Sequence, residues 1–186
     1  MAKRESALTA HYQRGHFGAE ETGVTLSEVK ELRLQQIATW PETMAAVSAK
    51  AIEAAGCDDA PTPCQSCRGS HASLLRIEPL KWWLLGDAEL PTLASDEGVV
   101  LDLSHSRTAI RIEGECAADL LNRHLPLDLR EASFGDGAVA LTAFHHVGVT
   151  LLRHQDGYDL FVPRGFAVSL WEMLLASAEQ FGVEVV

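Results

Sequence analysis

The sequence predicts an α+β fold, with mixed or antiparallel sheets and helices packed on one face. Three observations carry this. Short apolar or alternating segments recur in succession, separated by turn residues, as at 72–79 with 81–87 and 138–154 before 158–163. Stretches 42–55, 115–124 and 166–181 repeat their apolar residues at helical spacing instead. The order strands, helix, strands occurs twice, the second time with an added terminal helix, and no internal sequence repeat accompanies it.

At 186 residues the chain is most economically one domain. Residues 1–22 are polar and without periodicity, and are expected to form an arm that is disordered alone or laid across a partner. Residues 23–186 then form the domain, in two similar halves of approximately 23–90 and 91–186. In VTLSEVKEL, Val24, Leu26 and Val29 point toward a core, and RLQQIATW continues extended to Trp40-Pro41. Pro41 suits a helix first turn, Glu42 suits its dipole, Met44, Val47, Ala51 and Ile52 share a face, and Gly56 supplies the stop. Residues Cys57 to Ser70 read as a loop. ASLLRIEP and KWWLLGD form two strands, and VVLDLS with TAIRIEG the next strand pair. Ala117, Leu120, Leu121 and His124 lie on one side of a short helix that Pro126 ends, and Gly135 and Gly137 flank Asp136 in a turn. AVALTAFHHVGVTLLRH is long enough for two strands, Asp156-Gly157 marks a tight turn before YDLFVP, and Phe166, Leu170, Met173, Leu174 and Phe181 define the closing helix.

Composition excludes several classes. A formal net charge of −11, with 15 basic residues scattered rather than clustered, argues against a nucleic-acid partner. No run of apolar residues is long enough to span a membrane, and the basic N-terminus has no apolar stretch behind it to make a signal peptide. A cytoplasmic location is expected, and with it four reduced cysteines. No GxGxxG, Walker loop or paired carboxylates are present, so the signatures of an NAD, FAD or ATP site are missing.

Four groups of residues could still carry chemistry. Cys57, Cys64, Cys67 and His71 have the spacing C-x6-C-x2-C-x3-H, which offers a tetrahedral metal its soft ligands or, as CxxC, a redox pair. With a single knuckle and no thioredoxin-like context, reduced loop thiols are the favoured reading, and no metal site is assigned; Cys116 is read as packing. Asp102, Ser104 and His105 sit in one tetrapeptide, whereas a catalytic triad draws its members from separate elements. Asp102 and Ser104 are therefore expected to accept backbone N–H bonds in a turn. Adjacent His145 and His146, if on a strand, point to opposite faces and cannot share an ion. Trp82 and Trp83 are either one core and one surface residue or a core residue beside an interface. Arg164, in FVPRGF, could meet an acidic group on a partner or stay solvated. No catalytic residue is assigned, and no cofactor is expected on this chain alone.

The segments LKWWLLG, VVLDLSHSRTAIRIEG, LLNRHLPLDL and GYDLFVPRGFAVSLWEMLLASAEQFGV, in this order and spacing, resemble the gamma-subunit family of heterotetrameric sarcosine oxidase. The likeness runs from about Val24 to Val183 and is strongest from Lys81 onward. It implies a fold like the N-terminal part of the glycine-cleavage aminomethyltransferase. It also implies alpha, beta and delta partner subunits, with FAD, FMN, NAD, tetrahydrofolate and zinc held by those other chains. The complex would oxidise an N-methyl amine such as sarcosine and pass the one-carbon unit to tetrahydrofolate. The small subunit of N-methylglutamate dehydrogenase is similar, and an independent folate-binding protein of the same superfamily is the further alternative. Folate-dependent relatives carry an acidic residue in a strand written like GGILDDLIV, and the corresponding stretch His146 to Leu152 here has no carboxylate. That departure favours a non-catalytic subunit.

Overall fold

The computed structural model describes residues 5–186. In chain order the strands and helices are β1 (Gly15–Phe17), β2 (Val24–Glu28), β3 (Leu34–Thr39), α1 (Met44–Ala55), β4 (Ser66–Arg68), β5 (Ala72–Glu78), β6 (Lys81–Gly86) and β7 (Gly98–Asp102). Then follow β8 (Arg107–Glu113), α2 (Ala117–Asn122), β9 (Val139–Phe144), β10 (Val147–His154), β11 (Gly157–Pro163), α3 (Ala167–Ala178) and β12 (Val183–Val185). The α+β class holds, with two sheets and few helices. The chain divides into two compact units, one made of Met1–Lys30, His105–Asp136 and Leu141–Val186, the other of Glu31–Ser104 and Gly137–Ala140.

The second unit is built on a five-stranded sheet of order β4-β5-β6-β3-β7. Helix α1 covers one face of it. Val47, Ala51 and Ala55, at helical spacing, pack with Ile37, Leu74, Trp82 and Leu84 in a cluster that excludes water. Met44 and Ile52 flank this contact half-buried. The helix stops at Gly56, whose φ of 70° is left-handed and whose N–H bonds the carbonyls of Ile52 and Glu53. A Cβ at this glycine would stand 2.2 Å from the Ser70 hydroxyl, so both conformation and space require glycine.

The first unit is built on a seven-stranded sheet of order β1-β12-β2-β8-β11-β10-β9. Its register places Leu26, Ile112 and Tyr158 side by side on one face, and Ser27, Arg111 and Asp159 on the other. Helices α2 and α3 touch each other and both touch β11. They bury Leu120, Leu121, Leu170, Trp171 and Leu174.

The structure departs from the sequence reading in seven places. Residues 5–22 are not a detached arm: Leu8 is buried, Gly15–Phe17 pairs antiparallel with β12, and Tyr12 stacks on Trp171 with ring centroids 5.1 Å apart. The Tyr12 hydroxyl also accepts a bond from the Glu28 N–H and donates one to the Val186 carbonyl. Residues 1–4 of that expected arm lie outside the described residues. The division of the chain also differs from halves at 23–90 and 91–186, because the crossover falls after Ser104 and 137–140 return to the earlier unit. VVLDLS and TAIRIEG do not pair with each other, since β7 pairs with β3 while β8 lies between β2 and β11. The loop from Cys57 contains strand β4, which pairs with β5.

His145 and His146 form the turn between β9 and β10 rather than lying on a strand, with His145 at a left-handed φ of 53°. Trp82 and Trp83 are both buried, Trp83 donating its indole N–H to Gln36 Oε1 at 3.3 Å. In α3 the buried stripe is Ala167, Leu170, Trp171, Leu174 and Ala178, while Phe166 and Met173 face solvent. Small alanines complete that stripe, so counting only large apolar residues turns the helix by the wrong angle.

Candidate functional site

The DLSH turn performs the structural role its sequence implies. Asp102 Oδ1 accepts the Ser104 N–H at 2.8 Å, closing a local turn. The buried Ser104 hydroxyl accepts the Leu34 N–H at 3.0 Å and reaches the Leu34 carbonyl at 3.4 Å. Accepting from one backbone group of β3 and donating to another, this hydroxyl fastens the turn to that strand. His105 is exposed.

The cysteine loop is organised differently from its spacing. Cys57 and Cys67 form a disulfide, with Cα atoms 6.4 Å apart, so the expectation of four reduced thiols is corrected for these two. The physical reason lies in the backbone. Ser70 N–H bonds Gly56 C=O at 3.1 Å and His71 N–H bonds Ala55 C=O at 3.0 Å. These contacts draw the end of α1 beside the β4–β5 connection, within disulfide range. Cys64 stays free and exposed, and Cys116 is free and half-buried at the start of α2. Among the described residues, no three His, Cys, Asp or Glu side chains gather as metal ligands.

Sequence reasoning passed over a charged cluster in the first unit. Asp159 sits on β11, directly opposite Arg111 on β8, and receives a bidentate pair of hydrogen bonds: Arg111 Nε to Oδ1 at 2.8 Å and Nη2 to Oδ2 at 2.9 Å. The Asp159 side chain is 6% exposed and that of Arg111 41%. Burial opposes ionisation of Asp159, but the contacts from His154 and Arg111 overcome it and hold the carboxyl below the usual range. His154 Nε2 stands 3.7 Å away, beyond hydrogen-bond length, so the geometry gives Arg111 the larger part. The reverse effect raises the Arg111 guanidinium, chiefly through its bond to Asp159. The signal was available: Asp in GYDLFV and Arg in TAIRIE are charges set in otherwise apolar strands.

A second pair of titratable groups follows α2. His124 Nδ1 lies 3.3 Å from His145 Nε2, and the His124 ring stacks on Phe144 with centroids 4.4 Å apart. Burial, then the neighbouring His145 and Arg123, lower the His124 pKa. His146 is exposed beside them in the turn. Arg164 gives its guanidinium to the Glu5 carbonyl at 2.6 Å, so it is tied within its own unit.

Large apolar side chains remain at the surface. Val99 and Leu101 lie two apart on β7, the end strand of the five-stranded sheet, and are 48% and 47% exposed. They share a face. Trp40, at the end of β3, is also exposed, with its indole N–H 3.3 Å from the Ser95 carbonyl. Phe166, just before α3, and Met173 on it are exposed. No helix among the described residues is long and apolar enough to cross a membrane.

This architecture is an aminomethyltransferase-like fold. It superposes on the glycine cleavage system aminomethyltransferase T from Bartonella henselae with a TM-score of 0.62, at 19% identity, covering 89% of this chain and 48% of that one. A nearer likeness is to a chain of the heterotetrameric sarcosine oxidase from Corynebacterium sp. U-96, solved in complex with pyrrole 2-carboxylate. There the TM-score is 0.78, the identity 25%, and 96% of each chain is covered. Over 72 residues, 39% of this chain, the sequence is 33% identical to the sarcosine oxidase subunit gamma of Corynebacterium sp. (strain U-96), and the match spans 35% of that curated relative. No family model matches the chain. The chain is thus similar over that stretch of sequence to a sarcosine oxidase subunit gamma, and over nearly its whole length in structure to a chain of a heterotetrameric sarcosine oxidase.

Proposed function

We propose that this chain is a non-catalytic gamma-type subunit of a heterotetrameric, flavin-dependent N-methyl amine oxidase of the sarcosine oxidase kind. It packs against the aminomethyltransferase-like domain of a large alpha subunit, with beta and delta subunits completing the assembly in the cytoplasm. The observation that carries this reading is the full-length likeness, 96% of each chain, to a chain of a heterotetrameric sarcosine oxidase. Two features support it. The exposed Val99 and Leu101 on an end strand are apolar surface of the sort a subunit keeps for its companions. The stretch His146 to Leu152 carries no carboxylate where folate-dependent relatives place theirs, and Asp159 is committed to Arg111.

The subunit's contribution is mechanical. Burying about 800 Å² or more against a partner holds that partner's folate-binding domain in position relative to the flavin subunit. A reactive one-carbon unit then passes between sites with less loss to water. FAD, FMN, NAD, tetrahydrofolate and zinc belong to the other chains, and the choice of sarcosine or another N-methyl amine, such as N-methylglutamate, lies in the flavin subunit.

The test is co-expression with the neighbouring genes and affinity purification through this chain. Recovery of larger flavin-bearing chains in a fixed ratio, with sarcosine oxidised by the complex and not by the lone subunit, is the expected result. Recovery of this chain alone, together with heat released on titrating it with tetrahydrofolate, would replace the proposal with an independent folate-binding protein.

A further inference from the structure

From the geometry we infer that His124 and His145 form a binding site for a borderline-soft divalent ion of the zinc, nickel or copper class. The site stands on one juxtaposition: two imidazole nitrogens, Nδ1 of His124 and Nε2 of His145, facing each other 3.3 Å apart across separate elements. Two nitrogens each about 2.0–2.1 Å from one tetrahedral ion lie about 3.3–3.4 Å from each other. The spacing therefore matches that of two ligands on one such ion, which would take the place of the proton the two rings now share, and imidazole suits these ions.

Each ring is placed by its own structural device. His124 follows α2, where its N–H and that of Leu125 both bond the Leu121 carbonyl, and its ring is stacked on Phe144. His145 takes the left-handed conformation at φ 53° in the two-residue turn between β9 and β10. That conformation is uncommon for a residue with a side chain, although histidine tolerates it better than most. Backbone strain of this kind is found where a side chain is being aimed. The rings meet at 64°, edge toward face, so neither covers the other's nitrogen by stacking. Arg123, the nearest fixed positive charge in sequence, lies over the Phe181 ring at 5.3 Å from its centroid. Two protein ligands leave the remaining positions of a four-coordinate ion open to water or to a ligand from a companion chain.

Calorimetric titration of the full chain with Zn2+ and with Ni2+ tests this, alongside three variants. His145→Asn keeps a residue that tolerates the left-handed turn but removes the imidazole. His124→Gln removes the other ligand, and His146→Gln, in the same turn, is the control. The expected result is one ion per chain, with affinity at least tenfold weaker in His145→Asn and His124→Gln and unchanged in His146→Gln. Saturation binding that survives His145→Asn, or no heat with the unaltered chain at millimolar ion, would overturn the site. Should His124→Gln not fold, His145→Asn alone decides, because its turn is solvent-exposed and its backbone demand is met.

Discussion

Replacing Asp159 by asparagine keeps the shape of the side chain and removes its charge, which leaves the Arg111 guanidinium without its bidentate acceptor. Breaking a buried ion pair by removing one member costs about 3–5 kcal/mol. Arg111 is 41% exposed, so water recovers part of that. A loss of about 2–3 kcal/mol follows, which for a chain of this length is a fall in Tm of roughly 5–10 °C. Urea unfolding followed by tryptophan fluorescence measures it, since Trp171 is buried in the same unit. The pH dependence supplies an independent reading. The folded carboxyl titrates below its unfolded value of about 3.9, so its stabilisation is present above that pH and is lost as pH falls below it. The unaltered chain should thus lose stability between about pH 4 and the lower folded value, while Asp159→Asn loses less over the same interval. Combining Asp159→Leu with Arg111→Met should restore much of the margin, because both charges leave together. A single-variant effect within about 0.5 kcal/mol of zero, the range of an ordinary surface change, would refute this account of the pair.

Serine at both Cys57 and Cys67 should cost about 2.5–3 kcal/mol by the loop-closure relation for a bridge spanning 10 residues, read from denaturation with and without reductant. Alkylation of all four cysteines in the native, unreduced chain would contradict the pairing. Ser104→Ala should cost about 1–3 kcal/mol, because the buried Leu34 N–H then lacks its acceptor, and faster amide exchange at Leu34 is the accompanying signal.

Much of the fold was legible because local patterns and tertiary packing agree. The residues of α1 repeat at helical spacing and meet a single sheet face, and Gly56 ends the helix with a conformation that glycine alone adopts cheaply. The Asp102–Ser104 turn was legible for the same reason, since its hydrogen bonds are largely local. What escaped depends on partners distant in sequence. Gly15–Phe17 has no strand pattern of its own and becomes a strand because Val183–Val185 offers it an edge. The assignment of β7 and β8 to different sheets is decided by β3 and β11, which periodicity does not reveal. The Cys57–Cys67 bond follows from two backbone hydrogen bonds linking 55–56 to 70–71, contacts invisible in a C-x6-C-x2-C spacing. Asp159 and Arg111 were hidden similarly, because their significance lies in being opposite each other in register.

The groups that enzymes use for chemistry are here largely engaged in holding the chain together. The Ser104 hydroxyl is bonded to Leu34, the Asp159 carboxylate is held by Arg111, and Cys57 is joined to Cys67. The surface also keeps the apolar side chains of Val99 and Leu101 on an end strand, and two imidazoles that bond each other. The exposed apolar pair on an end strand is the feature that suits the role proposed from the likeness to a chain of a heterotetramer.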